Sequence, residues 1–192
     1  RRAAAVLIGD RCELGAADLD CAGVMYTPII GTLGYVLSED RRRVLLVHRS
    51  RVGDQHAGKW NGLGGKLEAD EDIYTCLCRE LREEASIEVT SARLRATISW
   101  PGFGAGGDHR HDQESDWFGF VFVVDAFTGT PPQRNEDGPL VWQEIDRLSE
   151  LPMWEGDRFW LPLVLSDGPG IHGVMPYVDG APSSWSYRNA TS

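Results

Sequence analysis

Residues 65–87 read GKLEADEDIYTCLCRELREEASI, and this stretch decides the fold. From Ile73 to about Ala85 it contains strong helix formers and neither glycine nor proline. Acidic residues precede this segment, where they suit the positive end of the helix dipole. The residues before them, 59–66, are rich in glycine. The stretch therefore predicts a loop that leads directly into an amphipathic helix.

The predicted helix places acidic residues beside its apolar stripe. At 100° per residue, one side carries the apolar positions Ile73, Cys76, Leu77 and Leu81. Glu80, Glu83 and Glu84 continue this stripe, so we expect three carboxylates to point into a partly enclosed space. Such carboxylates repel one another and are costly to desolvate, and a hard divalent cation offsets that cost. Mg²⁺ is the expected ion, with Mn²⁺ as its substitute. The alternative is a solvated acidic helix end that Arg79 and Arg82 balance.

Two glycines lie directly upstream of this helix. Gly64 and Gly65 leave backbone amides and carbonyls open to the close approach of a phosphate or a metal ion. A Gly-Gly-Lys sequence alone indicates only a turn. Next to inward-facing glutamates, it favours a site for a phosphorylated ligand and a metal.

Charge and composition exclude several functional classes. The 192 residues carry 29 acidic and 19 basic side chains, a formal net charge of −10, which disfavours binding to a nucleic-acid polymer. A small phosphorylated substrate remains compatible if cations mediate. No apolar run approaches the roughly 18 residues of a membrane span, and residues 3–8 are too short for a signal-peptide core. The cysteines form no zinc pattern, which predicts reduced thiols and a cytoplasmic location: Cys12, Cys21, Cys76 and Cys78.

Hydrophobic patterning predicts an α/β domain with a mixed sheet. Strands are expected at residues 27–36, 44–48, 93–100, 117–127, 142–145 and 174–178. A second helix is expected within residues 149–165, and residues 101–116 are expected to form a glycine-rich loop. Residues 1–24 are expected to be a peripheral extension, residues 25–192 a single domain, and the polar tail loose.

The spacing within the quoted stretch matches a known signature. Gly65, Glu71 and the segment 79–87 resemble the Nudix box, and the chain is identified as a member of the Nudix hydrolase superfamily of the MutT type. Ser86 stands where the family has glycine, and a positive-φ helix end would make serine cost about 1 kcal/mol there. The resemblance to the oxidised-purine nucleoside triphosphatases of this family extends to residues 59–66, 153–163 and 171–173.

This resemblance implies a Nudix fold, a mixed sheet between helices, and hydrolysis of oxidised purine nucleoside triphosphates such as 8-oxo-dGTP to monophosphate and pyrophosphate. It implies that Arg79 orients a box glutamate and that Glu83 or Glu136 serves as general base. The implied metal ligands are the Gly64 carbonyl, Glu80, Glu83, Glu84, and a further carboxylate from Glu136, which we favour, or Asp137. The implied substrate-binding residues are Thr32, Arg49, Asn61, Leu63, Gly64, Gly65, Lys66, Trp154 and Asp157.

The base that is recognised stays open at this stage. The family's purine pocket has two adjacent acidic residues where this chain has Gly156 and Asp157. Pyrimidine nucleoside triphosphates, or another nucleoside diphosphate derivative such as ADP-ribose or a dinucleotide, are alternative substrates. A non-catalytic nucleotide-sensing module is a third hypothesis, which the retained box glutamates disfavour. Either a monomer or a homodimer is consistent with the sequence.

Overall fold

The computed structural model describes residues 26–51, 57–104 and 116–190. The predicted N-terminal extension, Cys12, Cys21 and most of the predicted loop at 101–116 lie outside these residues. The division into an extension and a single domain therefore stays a prediction.

The core of the described chain is a mixed eight-stranded sheet. Its strands are β1 (Ile29–Leu37), β2 (Arg43–His48), β3 (Trp60–Asn61), β4 (Ile87–Trp100), β5 (Trp117–Gly129), β6 (Leu140–Glu144), β7 (Ile171–Val174) and β10 (Ser186–Asn189). The order is β10-β7-β4-β5-β1-β2-β3, and β6 pairs with β2. β1 runs parallel to β5 and β4 parallel to β7, whereas the other pairs are antiparallel. Two short strands, β8 (Tyr177–Val178) and β9 (Ala181–Pro182), form a separate ribbon.

Helices cover both faces of this sheet. Helix α1 (Ile73–Ala85) buries Leu77 and Leu81 in one apolar cluster with side chains of β1, β2 and β5. Helix α2 (Asp157–Leu165) buries Trp160 and Val164 in a second cluster on the opposite face, and a 3-10 helix (Ile145–Glu150) packs there too. The predicted α/β class with a mixed sheet is confirmed. Neither helix in the described ranges has the length and apolar character needed to cross a bilayer.

The predicted first helix is confirmed at both ends. Asp72 caps its N-terminus by accepting hydrogen bonds from the backbone N–H groups of Tyr74 and Thr75. Ser86 ends it in the left-handed conformation, with φ 54°, and donates its N–H to the Arg82 carbonyl. Because glycine adopts this conformation without a steric cost, the structure shows why the family prefers glycine at this position.

Two other predictions about secondary structure were wrong. β4 begins at Ile87 instead of Arg93, because register shifts between Val89 and Ala96 interrupt the alternation of its side chains. The tail was predicted to be loose, yet β10 pairs with β7 and Trp185 packs over Gly173. Local pattern does not reveal that pairing, because β7 is itself held in the sheet by β4, a strand distant in sequence.

Candidate active site

The glycine loop, which contains Gly64 and Gly65, packs between β1 and helix α1. Gly64 has φ +144°, and a Cβ placed there would collide with the Thr32 carbonyl. The Thr32 N–H donates to the Gly65 carbonyl at 2.8 Å, which holds the loop against β1. A Cβ at Gly65 would overlap the carboxylate of Glu80. Both glycines are therefore required for the loop to approach the carboxylates of α1.

Arg79 ties this loop to the helix. Its Nε and Nη2 donate to the two carboxylate oxygens of Glu71 at 3.0 and 2.6 Å, and its Nη1 donates to Glu80 Oε1 at 2.8 Å. It also donates to the Lys66 carbonyl at 3.2 Å and lies 3.4 Å from Glu83 Oε2. The Arg79 guanidinium lowers the pKa of Glu71 to about 2. Arg79 therefore bonds to the box residues Glu71 and Glu80, and its side chain is only 21% exposed.

The three glutamates of α1 differ in exposure. The Glu80 side chain is 14% exposed, and burial raises the pKa of Glu84 to about 7 although the Gly64 N–H donates to its Oε2 at 2.9 Å. The Glu83 side chain is 60% exposed, so the expectation that it points inward was wrong. At 100° per residue, Glu83 lies about 60° from Glu80 on the side away from Leu81, which leaves it at the rim.

A fourth carboxylate comes from the turn before β6. Asp137 forms an ion pair with Arg49, with 3.2 Å between Asp137 Oδ2 and Arg49 Nη1. The negative charge of Asp137 contributes to the raised pKa of Glu84. Asn135 Oδ1 accepts the N–H groups of Asp137 and Gly138, which fixes this turn. Glu136, the residue favoured from the sequence, is exposed. The structure thus places Asp137, and not Glu136, beside the helix carboxylates.

We call Glu80, Glu84 and Asp137 the acidic cluster, because the charges of Glu80 and Asp137 both act on Glu84. No three His, Cys, Asp or Glu side chains within the described ranges are already arranged around a common metal position. The donor chemistry nevertheless fits a hard divalent ion, since carboxylate oxygens and a nearby backbone carbonyl are its usual ligands. A positive ion would also stabilise the ionised form of Glu84 and so offset the desolvation that raises its pKa.

A pocket of about 270 Å³ opens beside the acidic cluster, and we call it the aromatic pocket. Its aromatic walls are Trp100, Phe103, Trp117, Trp154, Trp160 and Tyr177. Phe103 packs against Trp154 with ring centroids 6.3 Å apart. A larger cavity of about 430 Å³ lies between the 3-10 helix and α2, but its lining includes neither Gly64 nor Gly65, the two residues that contact the α1 carboxylates. The aromatic pocket is therefore the candidate ligand site.

Most residues predicted to bind substrate line this pocket. They are Thr32, Arg49, Asn61, Gly64, Gly65, Trp154 and Asp157. Leu63 was misassigned, because it is fully buried in the apolar cluster beneath α1. Lys66 is exposed, with Nζ 5.7 Å from the ring centroid of Trp117. Lys66 therefore lies beside a wall residue of the pocket and does not itself line it.

Sequence reasoning missed several wall residues. Trp117, the first residue of β5, lines the pocket, as do Trp100, Phe103 and Tyr177. Trp160 is only 1% exposed and also lines the pocket. The available signal was that aromatic residues border the predicted loop at 101–116, but periodicity does not distinguish a wall from a core.

Asp157 is the buried acidic group of the pocket. Burial raises its pKa to about 7, although the Trp154 N–H donates to its Oδ2 at 3.2 Å and the charge of Lys59 favours ionisation. Lys59 is itself fixed by donating to the Met153 carbonyl at 3.0 Å. Asp157 therefore presents a carboxyl that titrates near neutral pH.

Comparison with known proteins places this site in a family. A family model described as the NUDIX domain matches residues 28–164. The oxidized purine nucleoside triphosphate hydrolase of Danio rerio is 33% identical over 73% of this chain and 82% of its own length. The CTP pyrophosphohydrolase of Escherichia coli K12 is 50% identical over 60% of this chain and 76% of its own. A crystal structure of a MutT protein from Bacillus halodurans superposes with a TM-score of 0.70 at 29% identity, covering 83% of this chain and 97% of that one. The predicted Nudix fold is confirmed, and the chain belongs to the Nudix hydrolase family.

Proposed function

We propose that this Nudix hydrolase is a Mg²⁺-dependent pyrophosphohydrolase that cleaves oxidised purine nucleoside triphosphates, such as 8-oxo-dGTP, to monophosphate and pyrophosphate. One observation carries the proposal: the glycine loop belongs to both halves of the site. Gly64 and Gly65 line the aromatic pocket, and the same residues contact Glu84 and Glu80. A nucleotide with its base in the pocket would therefore extend its phosphates toward the carboxylates.

The residues divide the chemistry between them. Glu80, Glu84, Asp137 and the Gly64 carbonyl would hold the metal, with Glu83 at the rim. When bound, the metal supplies positive charge against the phosphate oxygens and lowers the pKa of a water molecule. Arg79 fixes Glu80 through a charge-assisted hydrogen bond.

Arg49, Lys66 and Glu83 are assigned the remaining catalytic and phosphate-binding roles. Arg49 lines the aromatic pocket next to Asp137, and Lys66 lies beside the pocket wall, so both are assigned to phosphate contacts. Glu83 is assigned as general base because its exposed carboxylate is open to water. Glu136 is the alternative general base.

The nucleobase of the substrate is assigned to the aromatic pocket. Stacking on an indole contributes about 1–3 kcal/mol and tolerates any base, because every base has a π-face. Trp154 lines the pocket beside Phe103 and supplies such a surface. Selection then depends on polar groups at the pocket edge, of which Asn61 and Asp157 are two.

Pyrimidine nucleoside triphosphates are the second candidate substrates. The relative that is 50% identical is named CTP pyrophosphohydrolase, and Gly156 stands where the purine pocket of the family has an acid. ADP-ribose and dinucleotides follow as a third class of substrate.

The test is a substrate panel. Purified protein is incubated with 8-oxo-dGTP, dGTP, dATP, dCTP and ADP-ribose, with and without Mg²⁺. We expect Mg²⁺-dependent pyrophosphate release, fastest from 8-oxo-dGTP. Fastest release from dCTP would support the pyrimidine candidate, and AMP released from ADP-ribose would support the third class. Tight binding without turnover in Mg²⁺ or Mn²⁺ would indicate a sensing module.

Single substitutions test the assignment of Glu83 as the general base. We expect Glu83→Gln to abolish turnover while the circular dichroism spectrum stays unchanged. Glu88→Gln is the matched control, because Glu88 is exposed and pairs with Arg82 beyond the C-terminus of α1. Retained activity in Glu83→Gln would remove Glu83 from the catalytic residues.

A cytoplasmic location and a monomeric or dimeric state complete the proposal. Cys76 and Cys78 are free thiols, which supports a reducing compartment. Cell fractionation and light scattering test these two points.

A further inference from the structure

The chain turns directly after β4, and this turn supplies one wall of the aromatic pocket. The turn spans residues 100–103, and the Phe103 N–H donates to the Trp100 carbonyl at 3.4 Å. Gly102, its third residue, has φ +75°, as a type II turn requires at that position. The Phe103 ring lines the pocket and packs against Trp154. The position of this wall therefore depends on what holds the turn.

Asp116 holds the turn through its side chain. Its Oδ1 accepts the Gly102 N–H at 2.7 Å, and only 5% of the residue is exposed. Asp116 directly precedes β5, and its backbone carbonyl accepts the N–H of Ile29, the first residue of β1, at 2.9 Å. Because Gly102 is buried as well, loss of the carboxylate would leave a buried N–H unpaired. The side chain of Asp116 therefore links the turn to two central strands of the sheet.

A second support of the turn comes from Tyr177. The Tyr177 N–H donates to the Pro101 carbonyl at 2.8 Å, and a Cβ at Gly102 would lie 2.7 Å from the Tyr177 carbonyl oxygen. The Phe103 ring packs edge-on against the Tyr177 ring, with centroids 5.0 Å apart and planes at 89°. Tyr177 thus holds the turn with its backbone, whereas Asp116 holds it with a side chain that a substitution can remove.

We propose that Asp116 is a positioning residue that fixes Gly102, so that Phe103 forms a rigid wall for the nucleobase. Asp116 does not itself line the pocket and therefore acts through Phe103. A wall that is ordered before the ligand arrives loses less conformational freedom on binding, which raises the affinity. The inference rests on the proposed function, because it takes a nucleobase as the ligand of the pocket.

Substitutions at position 116 test this role with 8-oxo-dGTP and dCTP as substrates. Asp116→Ala should raise KM about three- to tenfold and leave kcat within about twofold, because the wall is assigned to the nucleobase and not to the reacting phosphate. Asp116→Asn should keep the wild-type KM, since its amide oxygen can accept the same N–H. Asp116→Glu should raise KM as Asp116→Ala does, because an added methylene displaces the carboxylate, and it replaces Asp116→Ala if that variant does not fold.

Two further measurements separate positioning from a general loss of stability. The inhibition constant of pyrophosphate, a product without a nucleobase, should stay unchanged in Asp116→Ala. Amide hydrogen exchange at Gly102, measured by nuclear magnetic resonance, should become at least about tenfold faster, while the amides of α1 keep their rates. Asp40→Ala is the matched control and should change none of these values. Asp40 also accepts a backbone N–H, that of Arg42, but it follows the end of β1 whose first half lines the pocket.

A double-mutant cycle tests whether Asp116 acts through Phe103. Phe103→Ala should raise KM, and adding Asp116→Ala to it should cause little further increase. Additive increases would overturn the proposal, as would an unchanged KM in Asp116→Ala, unchanged exchange at Gly102, or a fall in kcat alone. If the wild type neither binds nor hydrolyses a nucleotide, the proposed function fails by itself. Faster exchange at Gly102 in Asp116→Ala would then still support the positioning of the turn.

Discussion

Replacement of Asp157 by asparagine should stabilise the protein at neutral and alkaline pH. Burial raises the pKa of this carboxyl from 3.8 to about 7, so the folded protein binds its proton more tightly than the unfolded chain does. Stability from this group is therefore greatest at low pH and is lost as the pH rises from about 4 to about 7. The difference between the two pKa values corresponds to about 4 kcal/mol in the free energy of unfolding.

Urea unfolding between pH 4 and pH 8 measures this effect. The free energy of unfolding of Asp157→Asn, minus that of the wild type, should rise by about 4 kcal/mol over this range. Other titrating groups cancel in this difference because both proteins contain them. Asp167→Asn is the matched control, because the Asp167 side chain is 99% exposed. The difference between its free energy of unfolding and that of the wild type should stay constant over this pH range.

A constant difference for Asp157→Asn, within about 1 kcal/mol, would refute the reasoning about burial. A difference that falls with rising pH would show that the ionised carboxylate is stabilised in the folded state. The charge of Lys59, which favours ionisation of Asp157, would then outweigh desolvation.

Three further substitutions test local features by urea or thermal unfolding. Ser86→Gly should stabilise by about 0.5–1 kcal/mol because Ser86 has φ 54°, whereas Ser166→Gly should destabilise because Ser166 has φ −75°; equal effects would contradict the argument. Arg95→Met should cost about 3 kcal/mol, since the buried guanidinium donates to four backbone carbonyls in the last turn of α2 and directly after it, whereas Arg93→Met on the surface should cost under about 1 kcal/mol. Gly64→Ala should cost more than about 3 kcal/mol, because its Cβ would strike a carbonyl of β1, and a wild-type melting temperature would contradict this.

The loop and first helix were predictable because their signals are local. The glycines, the acidic helix start and the apolar spacing from Ile73 to Ala85 all concern residues within a few turns of one another. The helix bounds followed as expected, whereas the contact of Gly64 and Gly65 with the helix carboxylates emerged from the structure. Periodicity alone did not resolve the exposure of Glu83, because a position at the edge of a helical stripe is buried only if a neighbouring segment covers it.

The sequence by itself determined the class of chemistry, since the box spacing requires only that one helix follow one loop. The tertiary structure decided which distant segments complete the site. It brought Asp137 rather than Glu136 to the carboxylates and assembled the pocket walls from strand ends, turns and α2, with Phe103 beside Trp154. It also placed the Tyr177 hydroxyl against Gly156. Such contacts depend on how strands far apart in the chain pair in one sheet, and no local pattern of residues encodes that pairing.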